Sequence, residues 1–143
     1  MNTIYRILFP TVNNGTQISA LLLAARLIFG ALMMSHGIQK LNNFEQLSAV
    51  FPDPLGVGSN ISLMLAIFGE LACSIAFMVG FLYRLALIPM IFTMCVAFFV
   101  IHGSDPFSVK ELPLVYIVIF VLMWISGSGK FSADYFISKK LEK

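Results

Sequence analysis

Residues 61–83 read ISLMLAIFGELACSIAFMVGFLY, Arg84 follows, and residues 85–101 read LALIPMIFTMCVAFFVI. Each run is close to the roughly 20 apolar residues that an α-helix needs to cross the hydrocarbon core of a bilayer. Neither alternates apolar with polar residues, so neither reads as a strand of a membrane barrel. With only Arg84 marking the break, the two runs predict antiparallel neighbouring helices. Working outward, a third apolar run covers about 18–35 and a fourth about 109–126. The fourth opens on the capping-box pattern Ser108-Val-Lys-Glu111, with Pro113 near its first turn, where a missing N–H costs least. Four spans use a little over half of the 143 residues, which agrees with 59% hydrophobic against 11% charged residues and a mean hydropathy of +0.91. The expected fold is all-α, one integral membrane four-helix transmembrane bundle with spans at about 18–35, 61–83, 85–101 and 109–126.

That composition leaves no room for a folded soluble catalytic domain. A net charge of +2, scattered along the chain, excludes nucleic acid as a partner and leaves the lipid bilayer as the expected one. The first run follows the polar stretch TVNNGTQ and carries Arg26, so it reads as a retained span and not as a cleavable signal peptide. The polar segment 36–60 contains the turn Phe51-Pro52-Asp53-Pro54 and the hinge Gly56-Val57-Gly58. Phe44, Leu47 and Val50 are spaced for a short amphipathic helix at about 43–50 lying on the membrane surface. Ser59 or Asn60 is expected to cap the second span. Outside the spans, Arg6, Arg84, Lys130, Lys139, Lys140 and Lys143 collect on one side, against Lys40 and Lys110 on the other. By the positive-inside rule both termini are expected in the cytoplasm, with Tyr5, Tyr83, Trp124 and Tyr135 at the inner interface. His36, Lys40, Asp53, His102, Asp105 and Glu111 then face outward.

Arg26 and Glu70 cannot be placed in a loop, and each costs roughly 2.5–3.5 kcal/mol at a helix centre. At 1.5 Å per residue they fall about 15 and about 14 Å below the outer ends of their spans, so a direct ion pair between them is expected. Such a pair either fixes helix register or serves binding or proton handling. Arg26, Gly30, Met33, Gly37 and Lys40 share one helix face. Gly30 there favours close helix packing, and Gly37 fits packing or a solvated vestibule equally. On the second span Ala72, Ala76 and Gly80 form a small-residue packing stripe, while Glu70, Ser74 and Phe77 occupy another face.

Cys73 and Cys95 come out at similar depth, and read more readily as small buried hydrophobes than as a redox dithiol. His36 and His102 lie at outer span ends, where Asp53, Asp105 or Glu111 are candidates to join them, but the spacing matches no ligand motif and no metal site is assigned. Ser126-Gly127-Ser128-Gly129-Lys130 lacks the earlier glycine and following hydroxyl of a phosphate loop. It reads as a helix stop, with left-handed backbone at Gly127 and Gly129, after which Ser132 and Asp134 start a short terminal helix.

The span-one Arg26 followed by Gly30 and His36-Gly37-x-x-Lys40, the mid-span Glu70, Gly80-x-x-x-Arg84 and the closing Gly127-x-Gly-x-x-Ser132-x-Asp134 resemble the DoxX family of small four-helix membrane proteins. The resemblance covers about 20–136, and its closing motif is the most specific part, with Ser128 where the family often has proline. It implies a compact bundle in the bacterial inner membrane and an association with quinone-linked or thiol and oxidative-stress chemistry, including subunits of thiosulfate:quinone oxidoreductase. It implies no agreed catalytic residue set. Two functions follow. In one, a quinone or similar apolar redox molecule binds between helices near Arg26, Glu70, Gly30, Met33, Gly37 and Lys40, and redox partner proteins supply electrons. In the other, the chain is a non-enzymatic membrane subunit, alone or as a homo-oligomer, or a small-solute or proton carrier, whose ion pair is structural or gating. Without a haem-ligating histidine pair, a flavin motif or Cys-x-x-Cys, a self-contained oxidoreductase is the weakest variant.

Overall fold

The structure is a computed structural model and describes residues 15–142. Arg6, Tyr5 and Lys143, which entered the orientation argument, lie outside the described residues. The order is α1 (Thr16–Asn42), α2 (Phe44–Leu47), α3 (Ser59–Val79), α4 (Tyr83–Ile101), α5 (Phe107–Ser126) and α6 (Ala133–Leu141), with no strand among the described residues. Helices α1, α3, α4 and α5 are each long and apolar enough to cross a membrane. They pack in sequence, α1 along α3, α3 along α4 and α4 along α5. Met33, Phe77, Leu87, Met90 and Phe120 are fully buried between them. Phe77 stacks on Tyr83 and meets Phe120 edge-on, both with ring centroids 5.5 Å apart. Leu21, Ile28, Phe92 and Leu122 point outward, where acyl chains make exposure of an apolar side chain costless.

Several element ends depart from the sequence expectation. Helix α1 continues through His36, Gly37 and Lys40 to Asn42, because no proline or turn residue interrupts that stretch. The amphipathic segment shortens to the four residues of α2. Helix α3 stops at Val79, with Gly80 left-handed at φ 73°, and Leu82 also takes positive φ. The break is thus 80–82, and Arg84 belongs to the first turn of α4. Neither capping box nor hydroxyl cap forms at α5, which starts after Pro106, or at α3, which starts after Gly58. At α3 the work falls to Asp53, whose carboxylate accepts from Ser62 Oγ at 2.7 Å, Gly58 N at 2.7 Å and Val57 N at 3.0 Å. The hydrogen bonds from Ser62 and Gly58, in that order, hold its carboxyl below the usual carboxylate range. A depressed carboxyl contributes order that is present above about pH 4 and is lost as pH falls through the lowered value. Amide exchange at Val57 and Gly58 is therefore expected to lose its protection in acid, and Asp53→Asn to lose it at neutral pH; equal protection in the variant would remove Asp53 from that role.

The register of α1 against α3 is fixed by two glycines. A Cβ on Gly37 would lie 2.8 Å from Leu71 N, and one on Gly30 would fall onto the Met78 side chain, 3.2 Å from Phe77 Cδ1. Seven residues along α1 thus match seven along α3 in the opposite direction. Extending that register, Arg26 lies level with the 80–82 turn and Glu70 level with Ile38, so the two charges are about 18 Å apart along the bundle axis. The Arg26–Glu70 pair expected from depth does not form. A first span that ended at Ser35 would put Arg26 and Glu70 at one depth, whereas the helix that runs to Asn42 moves Arg26 toward the opposite end of the bundle.

Candidate functional site

The bundle holds two polar assemblies, one toward each end. At the α6 end, fully buried Arg26 donates from Nη2 to the Phe131 carbonyl. Asp134 reaches back to the start of α4, where its two carboxylate oxygens accept from Leu82 N and Tyr83 N, both at 2.8 Å. Its own N–H donates to Gly80 O at 2.9 Å. Ser132 caps α6 by accepting from Tyr135 N at 3.2 Å and donates to Gly129 O at 2.8 Å, while Ser19 Oγ accepts from Lys130 N at 3.2 Å. Gly80 must be glycine, since a Cβ there would fall onto the Arg26 guanidinium. Burial raises the Asp134 carboxyl above its ordinary value, opposed by the Tyr83 and Leu82 N–H groups and the Arg26 charge. Nearly every bond here ends on backbone. The assembly locks the 127–134 segment to the α3–α4 turn, and Gly127 and Gly129 take the expected left-handed backbone at φ 82° and 77°.

The second assembly lies toward the other end. Lys40 Nζ and Glu70 Oε2 are 2.5 Å apart, with 24% of the lysine side chain exposed against 5% of the glutamate. Glu70 is the central residue of a π-helical turn, Phe68–Ala72, set into α3. Such turns insert a residue into the ladder and recur at functional sites. Ser74, one turn further, is fully buried and its Oγ has no hydrogen-bond partner. Buried Tyr116 on α5 lies within electrostatic range of Glu70 and meets His36 edge-on at 6.2 Å. The arrangement is an ammonium and a carboxylate at proton-exchange distance, the carboxylate shielded and the ammonium opening outward.

Met33 is core and lies between the two assemblies, while Gly30 and Gly37 are closed by Met78 and Leu71, leaving neither groove nor vestibule on that face. His102 Nδ1 and Asp105 Oδ2 pair at 2.7 Å, while Glu111 is exposed on the first turns of α5. Among the described residues no group of three His, Cys, Asp or Glu gathers. Cys73 and Cys95 are free thiols lining different surface grooves. Of the small-residue stripe, Ala72 is exposed in the groove between α3 and α4, Ala76 borders that groove and packs in part against the core, and Gly80 is buried against Arg26 and Ser132. Tyr116 and the π turn are the elements that sequence reading missed. Tyr116 sits in an unbroken apolar run with no spacing signal, and a π turn has no residue signature.

A family model described as DoxX matches residues 21–103. The chain is also similar to a Haemophilus influenzae protein described as uncharacterized, 27% identical over 133 residues that cover 87% of each chain. No solved structure matches. The matched residues hold Arg26, Gly30, Gly37, Lys40, Glu70 and Gly80 and stop before the 127–134 segment. With more than half of its length under that model, in a bundle of four apolar helices, the chain belongs to the DoxX family.

Proposed function

We propose that the chain is a membrane-embedded subunit of a quinone-linked or oxidative-stress-related redox system, and that its Lys40–Glu70 pair handles protons at one end of the bundle. This reading rests on a shielded carboxylate, held on a π turn, bonded to a lysine that remains in part exposed. A quinone accepts electrons and protons at its carbonyl oxygens when it is reduced. At the Lys40 end two residues would serve such a group: Lys40, in part exposed, would donate N–H to a carbonyl oxygen and supply it a proton, and Glu70 would hold the counter-charge and help return a proton to Lys40. The Gly30–Gly37 face does not fit it, being filled by Met78, Phe77 and Leu71. The approach is therefore from the Lys40 side, with electrons supplied by redox partner proteins.

Between the two assemblies Met33, Phe77, Met90 and Phe120 form a fully buried apolar layer, which weighs against a solute or proton carrier running through the bundle. Proton exchange is thus assigned to the Lys40 side alone. Arg84, Lys130, Lys139 and Lys140 at the α6 end favour a cytoplasmic placement of that end in a bacterial inner membrane, with Lys40 and Lys110 outside. The filled glycine face favours the second reading, a structural subunit, and one experiment separates them. Titrating purified protein in detergent with a short-chain ubiquinone and with a menaquinone analogue is expected to raise the melting temperature saturably, with Glu70→Gln and Lys40→Met weakening the effect. No shift with either quinone would leave the structural reading standing.

A further inference from the structure

At the other end of the molecule, independent of the Lys40–Glu70 pair, α6 is docked with its polarity inverted. Asp134 and Ser138, one turn apart, are buried against the bundle, while Phe136 is 63% exposed. Lys139 and Lys140 follow Phe136 at i+3 and i+4 and so flank it on the outer surface. In water that arrangement would be upside down. At a membrane interface it is the ordinary one, with an aromatic ring in the acyl boundary and lysines reaching up to the head groups.

The dock is anchored next to further cations. Asp134 is bonded to Tyr83 N, Arg84 is the next residue, and Tyr83 OH donates to Met123 O at 3.0 Å, beside Trp124. Arg84 lies over the Trp124 ring at 5.0 Å, and its buried Nε has no hydrogen-bond partner. Lys130 is tied to this end through its backbone bond to Ser19. The ion pairs among the described residues are Lys40–Glu70 and His102–Asp105, so none of these four cations is neutralised by one. Of the nearby acids, Asp134 is buried and spent on the α4 start, which leaves exposed Glu142 alone against four positive charges.

We propose that Lys139 and Lys140, on the outer face of α6, bind the head group of an anionic phospholipid, with Phe136 seated among its acyl chains and Arg84 and Lys130 adding positive charge at the same end of the bundle. The charge is complementary, and the exposed ring fixes the depth at which a head-group phosphate meets the lysines. A phospholipid bound here clamps α6 over the α3–α4 turn that Asp134 and Arg26 already hold from inside.

Trp124 is the sole tryptophan of the chain and is 38% exposed, so its fluorescence reports lipid at this end. The full chain is reconstituted in bilayers of phosphatidylcholine with increasing phosphatidylglycerol, each lipid in turn carrying brominated acyl chains that quench tryptophan. Brominated phosphatidylglycerol is expected to displace phosphatidylcholine from the Trp124 site with several-fold preference, weakening at high salt. The double variant Lys139→Gln, Lys140→Gln is expected to bring the preference close to parity while melting like wild type in phosphatidylcholine alone. Lys130→Gln, further from the α6 packing face, is expected to give a partial loss and serves where the double variant melts early. Lys110→Gln at the opposite end is expected to change nothing. Equal quenching by the two lipids in wild type, or a preference that survives loss of these lysines, overturns the proposal.

Discussion

Asp134→Ala is expected to destabilise the folded bundle by about 2–5 kcal/mol, because it leaves two backbone N–H groups without an acceptor at roughly 1–3 kcal/mol each. The reason is local. Asp134 satisfies Leu82 N and Tyr83 N at the start of α4, and it is the acid whose charge opposes that of buried Arg26. Alanine leaves both N–H groups orphaned and removes the charge that opposes Arg26, whose hydrogen bond to the Phe131 carbonyl is untouched. Asn keeps one acceptor oxygen but turns an amide N–H₂ toward the other donor, so Asp134→Asn is expected to lose roughly half as much. The pH dependence has a definite sign. A carboxyl raised by burial contributes stability that is present below its unfolded value near pH 4 and is lost as pH rises through the raised folded value. The advantage of wild type over the non-titrating Asp134→Asn is therefore expected to grow as pH falls toward 4. Acid does not unlatch α6. Chemical unfolding in detergent measures all of this, and an Asp134→Ala protein as stable as wild type would make the 127–134 segment a passive tail.

The two assemblies differ in how much of them the sequence displays. The buried face of α1 is legible because Arg26, Gly30, Met33 and Gly37 repeat with helical period, and all four are buried. The closing turn is legible because Gly127, Gly129, Ser132 and Asp134 are each residues with a backbone task, and each carries it out. What fails is whatever depends on knowing where a helix ends. His36-Gly37 looks like a loop entry, yet Gly37 is there to admit the Leu71 backbone of a helix that runs on for another turn and more. Arg26 thereby changes ends. Lys40, which reads as a loop cation, becomes the partner of Glu70. Helix periodicity gives the face of a side chain, whereas its axial level comes from the partner helix, and that information is stored in contacts such as Gly30 against Met78.

Lys40→Met is expected to cost more than Glu70→Gln, and the two together less than their sum. The asymmetry follows from exposure. Lys40→Met strands a carboxylate of which 5% is exposed, a loss on the order of 3–5 kcal/mol, while Glu70→Gln strands an ammonium that is already 24% exposed and turns to water, about 1–2 kcal/mol. In the double variant no charge is stranded, so the cycle returns a coupling of about 1–3 kcal/mol. The same cycle on Arg26→Leu with Glu70→Gln is expected to be additive within about 0.5 kcal/mol, because about 18 Å of packed helix separates the pair. A coupled Arg26 and Glu70, or an additive Lys40 and Glu70, would contradict the α1–α3 register. The order of the single effects also bears on chemistry, because the costly one isolates Glu70 as an acid without a counter-ion. On the proposed quinone reading, Lys40→Met is then the variant expected to lose quinone affinity beyond what the stability loss explains. Comparing the quinone-induced shift with the stability cycle on the same four proteins separates a lysine that binds a carbonyl from one that merely neutralises its neighbour.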